Sequence, residues 1–260
     1  MPSVRVQVAS YNIHRGVGRD GRYNPGRILR VLQEVNADIV ALQEVDFPGP
    51  HPHHFLTWLA AQLGMTAVGG PVRTSAAGTY GNALLTRYPV RNVRRWDLSV
   101  GRHEPRGALA ADMLCQGAMI HVVTTHLGLW PTERPRQATK LLEGLHVTEE
   151  ELTILMGDLN EWQLWGKSLR VLRKVFGAPV SPPTFPTAWP LLALDRIWVS
   201  PRGALFEVHT HQSRLSRTAS DHLPVKAEIR FESVHGTGSV MREDYEPTPT
   251  SSTGCGRSML

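Results

Sequence analysis

Thr153-Ile154-Leu155-Met156-Gly157-Asp158-Leu159-Asn160 is the stretch of sequence that decides the fold. Its first four residues are apolar or β-branched, which is typical of a strand buried in a sheet, and the glycine that follows opens a loop. Asp158 and Asn160 therefore emerge together where a buried strand ends, a common position for a functional site in a protein that mixes helices and strands. The structural alternative is that both are ordinary turn residues.

Other short apolar or alternating runs, bounded by Gly, Pro, Asn and Asp, also predict strands. They are Val4 to Ser10, Ile39 to Gln43, Ala83 to Thr86, Ala108 to Met113, Met119 to Thr125, Ala193 to Val199 and Val225 to Phe231. Helical periodicity predicts helices over Arg27 to Val35, His54 to Leu63, Arg134 to Leu145 and Leu164 to Phe176. Because strands and helices do not alternate strictly, the pattern favours an α/β or α+β sandwich with sheets inside and helices outside.

Composition predicts one domain over residues 1–232, since 260 residues with 41% hydrophobic content can build a sizeable core. Residues 233–260 are rich in Gly, Ser, Thr and Pro, so we expect a disordered tail there. The net charge of +5 suits an anionic partner, and with only Cys115 and Cys255 neither a disulfide framework nor a cysteine metal site is available. Without a signal peptide or an apolar run of membrane-spanning length, we expect a cytoplasmic protein, and a monomer.

Polar residues follow two other predicted strands in the same way as Asp158 follows its own. Asn12 comes after Ala9-Ser10-Tyr11, and Glu44 comes after Val40-Ala41-Leu42-Gln43. A glutamate placed directly after an apolar run suits a hard cation, which prefers carboxylate oxygen. Asn12 could instead be a simple turn residue.

Histidines and carboxylates complete the set. His126 ends an apolar strand, and Glu104 precedes another, so a Glu104–His126 pair would orient the imidazole and favour its charged form. Asp195 lies within an apolar strand, where a charge needs a partner, and His222, next to Asp221, can supply it as a general base whose tautomer is fixed by Asp195. A buried structural histidine is the alternative for His126. Together these strand ends hold the groups needed for metal-assisted attack on phosphorus.

Read in order, the motifs resemble the endonuclease/exonuclease/phosphatase superfamily, which includes deoxyribonuclease I, exonuclease III, inositol polyphosphate phosphatases and neutral sphingomyelinases. The resemblance covers roughly residues 4–231 and looks like a compact bacterial branch. It is carried by Ser-Tyr-Asn-Ile, Leu-Gln-Glu-Val, Gly-Asn-Ala-Leu-Leu-Thr-Arg, Glu-Pro-Arg-Gly, Thr-His-Leu-Gly, Gly-Asp-Leu-Asn, Leu-Asp-Arg-Ile and Ser-Asp-His-Leu-Pro-Val.

The resemblance implies a four-layer sandwich of two stacked mixed β-sheets flanked by helices, as in deoxyribonuclease I. It implies that Glu44, Asn12 and Asp221 form the site for Mg²⁺, for which Mn²⁺ can substitute. Its other implied roles are assigned residue by residue: water and phosphate positioning by Asp158 and Asn160, proton acceptance by either Asp158 or an Asp195-oriented His222, charge stabilisation by His126 paired with Glu104, and phosphate contact by Asn82 and Arg106.

We expect a phosphoester as the substrate or ligand, and three hypotheses stay open at this point. The first is a phosphodiesterase acting on nucleic acid, which we rank above the second, a phosphodiesterase or phosphatase for a lipid headgroup or inositol phosphate. The third, a nonenzymatic protein that binds a phosphate-bearing partner, conflicts with the complete catalytic set. Trp162 and Trp165 could stack on a base or pack in the core of the helix that follows, Trp130-Pro131 could contact lipid, and Arg102, Arg106, Arg134 and Arg136 offer guanidinium groups to phosphate.

Overall fold

The computed structural model describes residues 3–48, 54–75 and 78–232, so the predicted tail over 233–260 lies outside the described residues. The strands are β1 (Ser3–Asn12), β2 (Ile39–Pro48), β3 (Thr66–Ser75), β4 (Gly78–Thr86), β5 (Val90–Asp97), β6 (Gly107–Cys115), β7 (Ala118–His126), β8 (Leu152–Asp158), β9 (Asp195–Ser200), β10 (Leu205–Thr210) and β11 (Val225–Glu232). The α-helices are α1 (Pro25–Val35), α2 (His54–Leu63), α3 (Arg134–Glu143), α4 (Lys167–Phe176) and α5 (Ser216–Ala219), and short 3-10 turns cover His14–Gly16 and Arg202–Ala204.

The strands form two mixed sheets. The first sheet has the order β10-β11-β1-β2-β4-β3, and the second has the order β5-β6-β7-β8-β9. Each sheet contains one parallel pair, β1 with β2 and β7 with β8, while the other neighbours are antiparallel.

Three apolar cores separate four layers. The central core joins the inner faces of the two sheets, as Val6 and Ile229 of the first sheet pack with Ile120 and Ile154 of the second. A second core packs α1 and α2 on the first sheet, and a third packs α3 and α4 on the second. This arrangement of two mixed sheets between helices confirms the predicted four-layer sandwich.

The strand ends that carry the predicted site residues meet at one edge of this sandwich. In the first sheet, β1 ends at Asn12 beside Gln43 of β2. In the second sheet, His126 at the end of β7 lies beside Asp158, which in turn pairs with Asp195 at the start of β9. The register of both sheets therefore brings these polar groups to the same edge.

The strands that the sequence did not predict are β3, β5 and β10, each at the border of its sheet. A border strand buries less of its surface, so its sequence lacks the apolar run of a central strand, as the charged Val90–Asp97 illustrates. The predicted helix starting at Leu164 begins only at Lys167, and the one predicted to end at Leu145 ends at Glu143, before Gly144.

Candidate active site

The polar residues singled out in the sequence surround a cleft of about 440 Å³ at this edge. Those that line it are Glu44, Glu104, Arg106, His126, Asp158, Asn160, Asp221 and His222. Asn12 and Asp195 are buried, and each hydrogen-bonds a residue that lines the cleft. The structure thus brings the set together, while the chemical role of each member stays a prediction.

The loop after β8 is shaped by close backbone packing. Gly157 has a φ of 151°, and a Cβ at this position would overlap the Thr125 carbonyl oxygen of β7. The Asp158 Oδ1 atom accepts a hydrogen bond from the Asn160 backbone N–H (2.8 Å), and Asn160 adopts a left-handed φ of 49°. The Asn160 side chain then donates to the Leu127 carbonyl (2.9 Å), which fixes this loop against the neighbouring one.

The other oxygen of Asp158, Oδ2, contacts residues from both sheets. It accepts a hydrogen bond from the Asn12 side-chain nitrogen at 3.0 Å. The Nε2 atoms of His126 and His222 lie 3.6 and 3.7 Å away from the same oxygen. Asp158 is 1% exposed, so a buried carboxylate connects the Asn12 side of the cleft to both imidazoles.

A β-bulge turns Glu44 into the cleft. The pairing of β2 with β4 shifts register between Leu42 and Val45, and Glu44 has a left-handed φ of 56°. Gln43 keeps its place between the sheets, donating to the Thr124 hydroxyl at 3.1 Å, while Glu44 accepts a hydrogen bond from Asn12 at 3.2 Å. Because of the bulge, the Gln43 side chain lies between the sheets and the Glu44 side chain lies in the cleft, although the two residues are adjacent in sequence.

Glu44 and Asp221 form the acidic pole of the cleft. Burial raises the pKa of Glu44, and the negative charges of Asp221 and Asp158 raise it further. A carboxylate surrounded by other carboxylates is stabilised by a cation, and hard oxygen donors are the ligands that Mg²⁺ and Mn²⁺ prefer. The donor set at this pole therefore fits a divalent metal ion.

Asn12 holds the residues around this acidic pole in place through hydrogen bonds. Its side-chain nitrogen bridges Glu44 and Asp158, and its oxygen accepts a hydrogen bond from the His14 backbone N–H (3.0 Å). The Ser220 hydroxyl donates to the Asn12 carbonyl (2.8 Å), which ties the loop that carries Asp221 to the end of β1.

His222 and Asp195 form a buried pair. The His222 Nδ1 atom lies 2.8 Å from Asp195 Oδ2, and the Phe185 ring packs on the imidazole with ring centroids 4.8 Å apart. Burial alone would lower the pKa of His222, but the charges of Asp195, Asp158 and Asp221 outweigh it and raise the pKa to about 10. His222 also lines the cleft, with its Nε2 atom 3.7 Å from Asp158 Oδ2.

The predicted pairing of Glu104 with His126 is wrong. Glu104, half-exposed at the cleft mouth, pairs with Arg106 (Oε2 to Nη2, 2.9 Å), and Arg106 is the residue that donates to His126 Nδ1 (3.3 Å). Burial, and next the positive charge of Arg106, lower the pKa of His126 to about 3. Burial, together with a guanidinium in the place expected for a carboxylate, therefore favours the neutral imidazole, whereas the sequence predicted the charged form.

Asn82 lies buried between the sheets and donates to the Gly107 carbonyl at 3.0 Å. This hydrogen bond holds the start of β6, directly after Arg106, against β4. The bond commits the Asn82 amide to positioning its neighbour, so the predicted phosphate contact of Asn82 has less support than that of Arg106, which lines the cleft.

Sequence reasoning missed two groups of residues near the reacting centre. Arg15 lines the cleft, pairs with Asp46 (3.3 Å) and lies over the Tyr80 ring, which also lines it. Thr184 is buried and its hydroxyl donates to Asp195 Oδ2 at 2.5 Å. The only sequence signal for Thr184 was its place in Thr-Phe-Pro before the Leu-Asp-Arg-Ile motif, and no pattern pointed to Arg15 as a cleft residue.

Asp158, Asp195 and His222 could also hold a metal ion, because they offer ligand atoms within 4.8 Å of one another. However, Asp195 Oδ2 already accepts hydrogen bonds from both His222 and Thr184. A cation there would also meet an imidazole whose raised pKa favours the protonated form. Glu44 and Asp221, which both line the cleft, are the other pair of carboxylates that could hold an ion.

Trp162 and Trp165 are 54% and 73% exposed and precede the first residue of α4, so the alternative that they pack in the core of that helix is wrong. Within residues 3–48, 54–75 and 78–232, no helix is long and apolar enough to cross a membrane.

Comparisons with known proteins agree with the fold. The YbhP protein of Escherichia coli strain K12, named as uncharacterized, is 34% identical over 246 residues, which is 86% of this chain and 96% of that protein. A Bacteroides vulgatus endonuclease/exonuclease/phosphatase structure has a TM-score of 0.72 at 19% identity, covering 88% of this chain and 99% of that one. A Bacteroides thetaiotaomicron mannosyl-6-phosphatase has a TM-score of 0.64 at 22% identity, covering 87% and 100%.

The sequence model of the Endonuclease/Exonuclease/phosphatase family matches residues 9–222, a range that includes Asn12 at one end and His222 at the other. Membership supports hydrolysis of phosphoesters with a divalent metal as the general activity. The chain belongs to the endonuclease/exonuclease/phosphatase family.

Proposed function

We propose that the protein is a Mg²⁺-dependent phosphodiesterase in which an Asp-oriented histidine activates water. The observation that carries this proposal is the position of the Asp158 carboxylate. One of its oxygens meets Asn12 beside the acidic pole at 3.0 Å and faces two imidazoles at 3.6 and 3.7 Å. A phosphoryl group at this junction would have metal ligands on one side and proton-transfer groups on the other.

Glu44 and Asp221 would hold the ion, and Asn12 would orient Glu44 through their hydrogen bond. The bound Mg²⁺, or Mn²⁺ in its place, would supply charge neutralisation at the phosphoryl and leaving-group oxygens. The raised pKa of Glu44, caused first by burial and then by the charges of Asp221 and Asp158, supports this assignment, since a cation would stabilise the buried carboxylate.

His222 would take the proton of the attacking water at Nε2 in its neutral form, which a cation at the acidic pole would favour by offsetting the carboxylate charges that raise the pKa of His222. Asp195 fixes the tautomer by accepting a hydrogen bond from Nδ1–H (2.8 Å), and Thr184 orients Asp195 by donating a hydrogen bond to the same oxygen. Asp158, 3.7 Å from Nε2, stabilises the imidazolium that forms. Because Asp158 and His222 are this close, we treat them as one coupled acceptor.

Arg106, His126 and Asn160 would face the phosphoryl oxygens. Arg106 is 4% exposed, reaches the cleft and keeps its Nε atom without a hydrogen-bond partner among the described residues. The neutral His126 ring lies between Arg106 and Asn160, with its Nε2 atom 3.0 Å from the Asn160 side-chain nitrogen. The positively charged guanidinium of Arg106, next to the neutral donors of His126 and Asn160, suits the negative charge that develops on the phosphoryl oxygens.

The space around the cleft favours a diester over a monoester. A second cavity of about 410 Å³, lined by Arg15, Val17, Tyr23 and Asp46, shares Arg15 with the cleft. A diester has a substituent on each side of phosphorus, and this adjoining space can receive the second one. Nucleic acid, ranked first from the sequence, stays a prediction for the identity of that diester, with a lipid headgroup or inositol phosphate as the alternative.

The test is hydrolysis of bis-p-nitrophenyl phosphate by the full chain, with Mg²⁺ or Mn²⁺ and with excess chelator. We expect Glu44→Ala, Asp158→Ala and His222→Ala each to lower the rate by at least about a hundredfold. Glu207→Ala, which removes an exposed carboxylate of β10, is the matched control and should keep the full rate. Full activity in chelator, or in His222→Ala, would reject the mechanism, and a parallel series with p-nitrophenyl phosphate separates diesterase from monoesterase activity.

A further inference from the structure

Large apolar side chains are exposed on three loops beside the cleft. The tryptophans are Trp130, Trp162, Trp165 and Trp189, and the leucines are Leu129, Leu164 and Leu191. Their exposed fractions run from 54% for Trp162 to 78% for Trp189 and Leu191. We call these seven residues the apolar rim.

The three loops leave the same edge of the second sheet. They follow β7, follow β8 and precede β9, three adjacent strands of that sheet. Arg134 joins the first two loops, since it donates to the Leu129 carbonyl and pairs with Glu161 (3.4 Å). The Leu159 N–H donates to the Leu194 carbonyl (2.9 Å) and joins the second loop to the third. The three loops therefore present the rim as one connected surface. Leu129 of the rim also lines the cleft, as does Phe185 in the third loop.

Exposure of this much apolar surface needs a partner to explain it. Each buried Trp side chain covers about 150–250 Å², so the four exposed tryptophans alone present roughly 400–650 Å² to solvent. Patches of this size on a monomer are commonly interaction sites. The residues sit in loops, where no fold requirement selects a tryptophan over a small polar residue.

Basic side chains are exposed on the elements that adjoin the rim in the chain. The two helices that follow the first two loops begin beside it, and α4 carries Lys167, Arg170, Arg173 and Lys174 with no acidic residue. On α3, Arg136 is exposed, and Arg102 is exposed in the loop between β5 and β6. The surface opposite the rim should therefore be anionic as well as apolar.

An anionic lipid bilayer fits this combination better than a nucleic acid. Bases stack on aromatic rings, but three of the seven rim residues are leucines, which insert into lipid and offer no stacking face. The tryptophans also lie at the cleft border and not among the residues that line the cleft. Tryptophan prefers the interface between headgroups and acyl chains, where its ring is apolar and its N–H is hydrated.

We propose that the apolar rim docks the protein on an anionic lipid bilayer and places the cleft over phosphodiester headgroups. This inference rests on the proposed phosphodiesterase activity and names its substrate class. It reverses the order of nucleic acid and lipid that the sequence suggested, because the exposure of Trp162 and Trp165 and of the leucines emerges only in the fold.

The first experiment measures docking without catalysis. The inactive His222→Ala full chain is sedimented with vesicles of phosphatidylcholine alone and of phosphatidylcholine with phosphatidylglycerol. We expect binding to the anionic vesicles, and at least about tenfold weaker binding when Trp130→Ser and Trp189→Ser are added. The matched control adds Trp58→Ser and Phe206→Ser, two exposed aromatics outside the rim, and should bind as the parent does.

Two further measurements keep the result interpretable. Brominated lipids should quench the tryptophan fluorescence of the unsubstituted rim, a readout that needs no variant. The Trp130→Ser/Trp189→Ser protein with His222 intact should hydrolyse bis-p-nitrophenyl phosphate in buffer at the parental rate, which shows that it is folded and that loss of docking is separate from loss of chemistry.

Equal binding by the rim variant and the control variant, or no binding of the parent to anionic vesicles, overturns the proposal. Retention of single-stranded DNA that depends on Trp130 and Trp189, without vesicle binding, also overturns it and assigns the rim to nucleic acid. If vesicles bind through the rim but no phosphodiester is hydrolysed in any assay, docking stands and the proposed function fails.

Discussion

Substitution of Asp195 by Asn tests the proton path most directly. Asp195 is fully buried and its Oδ2 atom accepts from His222 Nδ1 at 2.8 Å. A hydrogen bond to a charged group contributes about 1.5–3 kcal/mol. If that amount is lost from the imidazolium that forms in the reaction, the rate falls about 10- to 150-fold.

The asparagine has a second effect on the tautomer. If its amide nitrogen donates to Nδ1, the imidazole proton moves to Nε2, the atom that must accept the proton of water. We therefore expect Asp195→Asn to lower kcat by about 10²- to 10⁴-fold with little change in KM. The assay is steady-state hydrolysis of bis-p-nitrophenyl phosphate at saturating Mg²⁺.

Thr184→Val is the matched control. It removes the hydroxyl that donates to the same Asp195 oxygen but keeps the carboxylate and the Asp195–His222 hydrogen bond. We expect a loss of only about tenfold, the cost of one neutral donor at a charged acceptor. A kcat for Asp195→Asn within about threefold of the parent would refute the assignment of His222 as proton acceptor.

Two predictions concern stability. Gly157→Ala should lower the free energy of unfolding by about 2–4 kcal/mol, measured by urea denaturation, because its Cβ would overlap the Thr125 carbonyl; Gly203→Ala, with open space around it, should change it little. Glu44→Gln should abolish Mg²⁺ binding in calorimetry yet raise the Tm of the metal-free protein by about 2–4 °C, the effect of about 1 kcal/mol. The pKa of Glu44 is raised in the folded protein, so the charged carboxylate destabilises the fold at pH values above that pKa. The increase in Tm caused by Glu44→Gln should therefore vanish at acidic pH, where Glu44 is protonated. An unchanged Tm at neutral pH would show that the acidic pole is not strained.

The central strands and the border strand β9 were predictable from the sequence, whereas the border strands β3, β5 and β10 were not. Thr153 to Met156 is buried on both faces of its sheet and is a continuous apolar run, whereas Val4 to Val8 alternates buried valines with the more exposed Arg5 and Gln7. β5 and β10 expose much of their surface and carry charged residues, which a strand pattern does not distinguish from a loop. Their pairing is imposed by the neighbouring strand and not by their own sequence.

The site could be predicted as a set of residues but not as a set of partners. Strand ends locate Glu44, Asp158 and His222, because register brings them to one edge. Which carboxylate meets which histidine depends on side chains from separate loops, and here Arg106 enters between Glu104 and His126. The spacing of motifs along the sequence holds no information on such an insertion. Burial and the inserted Arg106 favour a neutral His126, which is the opposite of the predicted charge.

Backbone conformation at the cleft explains why these partners can be so close. Among the described residues, the non-glycine residues with left-handed φ include His14, Arg15, Glu44 and Asn160, all in or beside the cleft. Each such conformation costs about 1 kcal/mol or more, and persists only where the surrounding structure determines it. For Glu44 the bulge between Leu42 and Val45 does so, and for Asn160 the hydrogen bond to Asp158 does so. Relaxing either residue to an extended φ would turn its side chain away from the cleft. The strained backbone at these two residues is therefore what brings their polar groups together in the cleft.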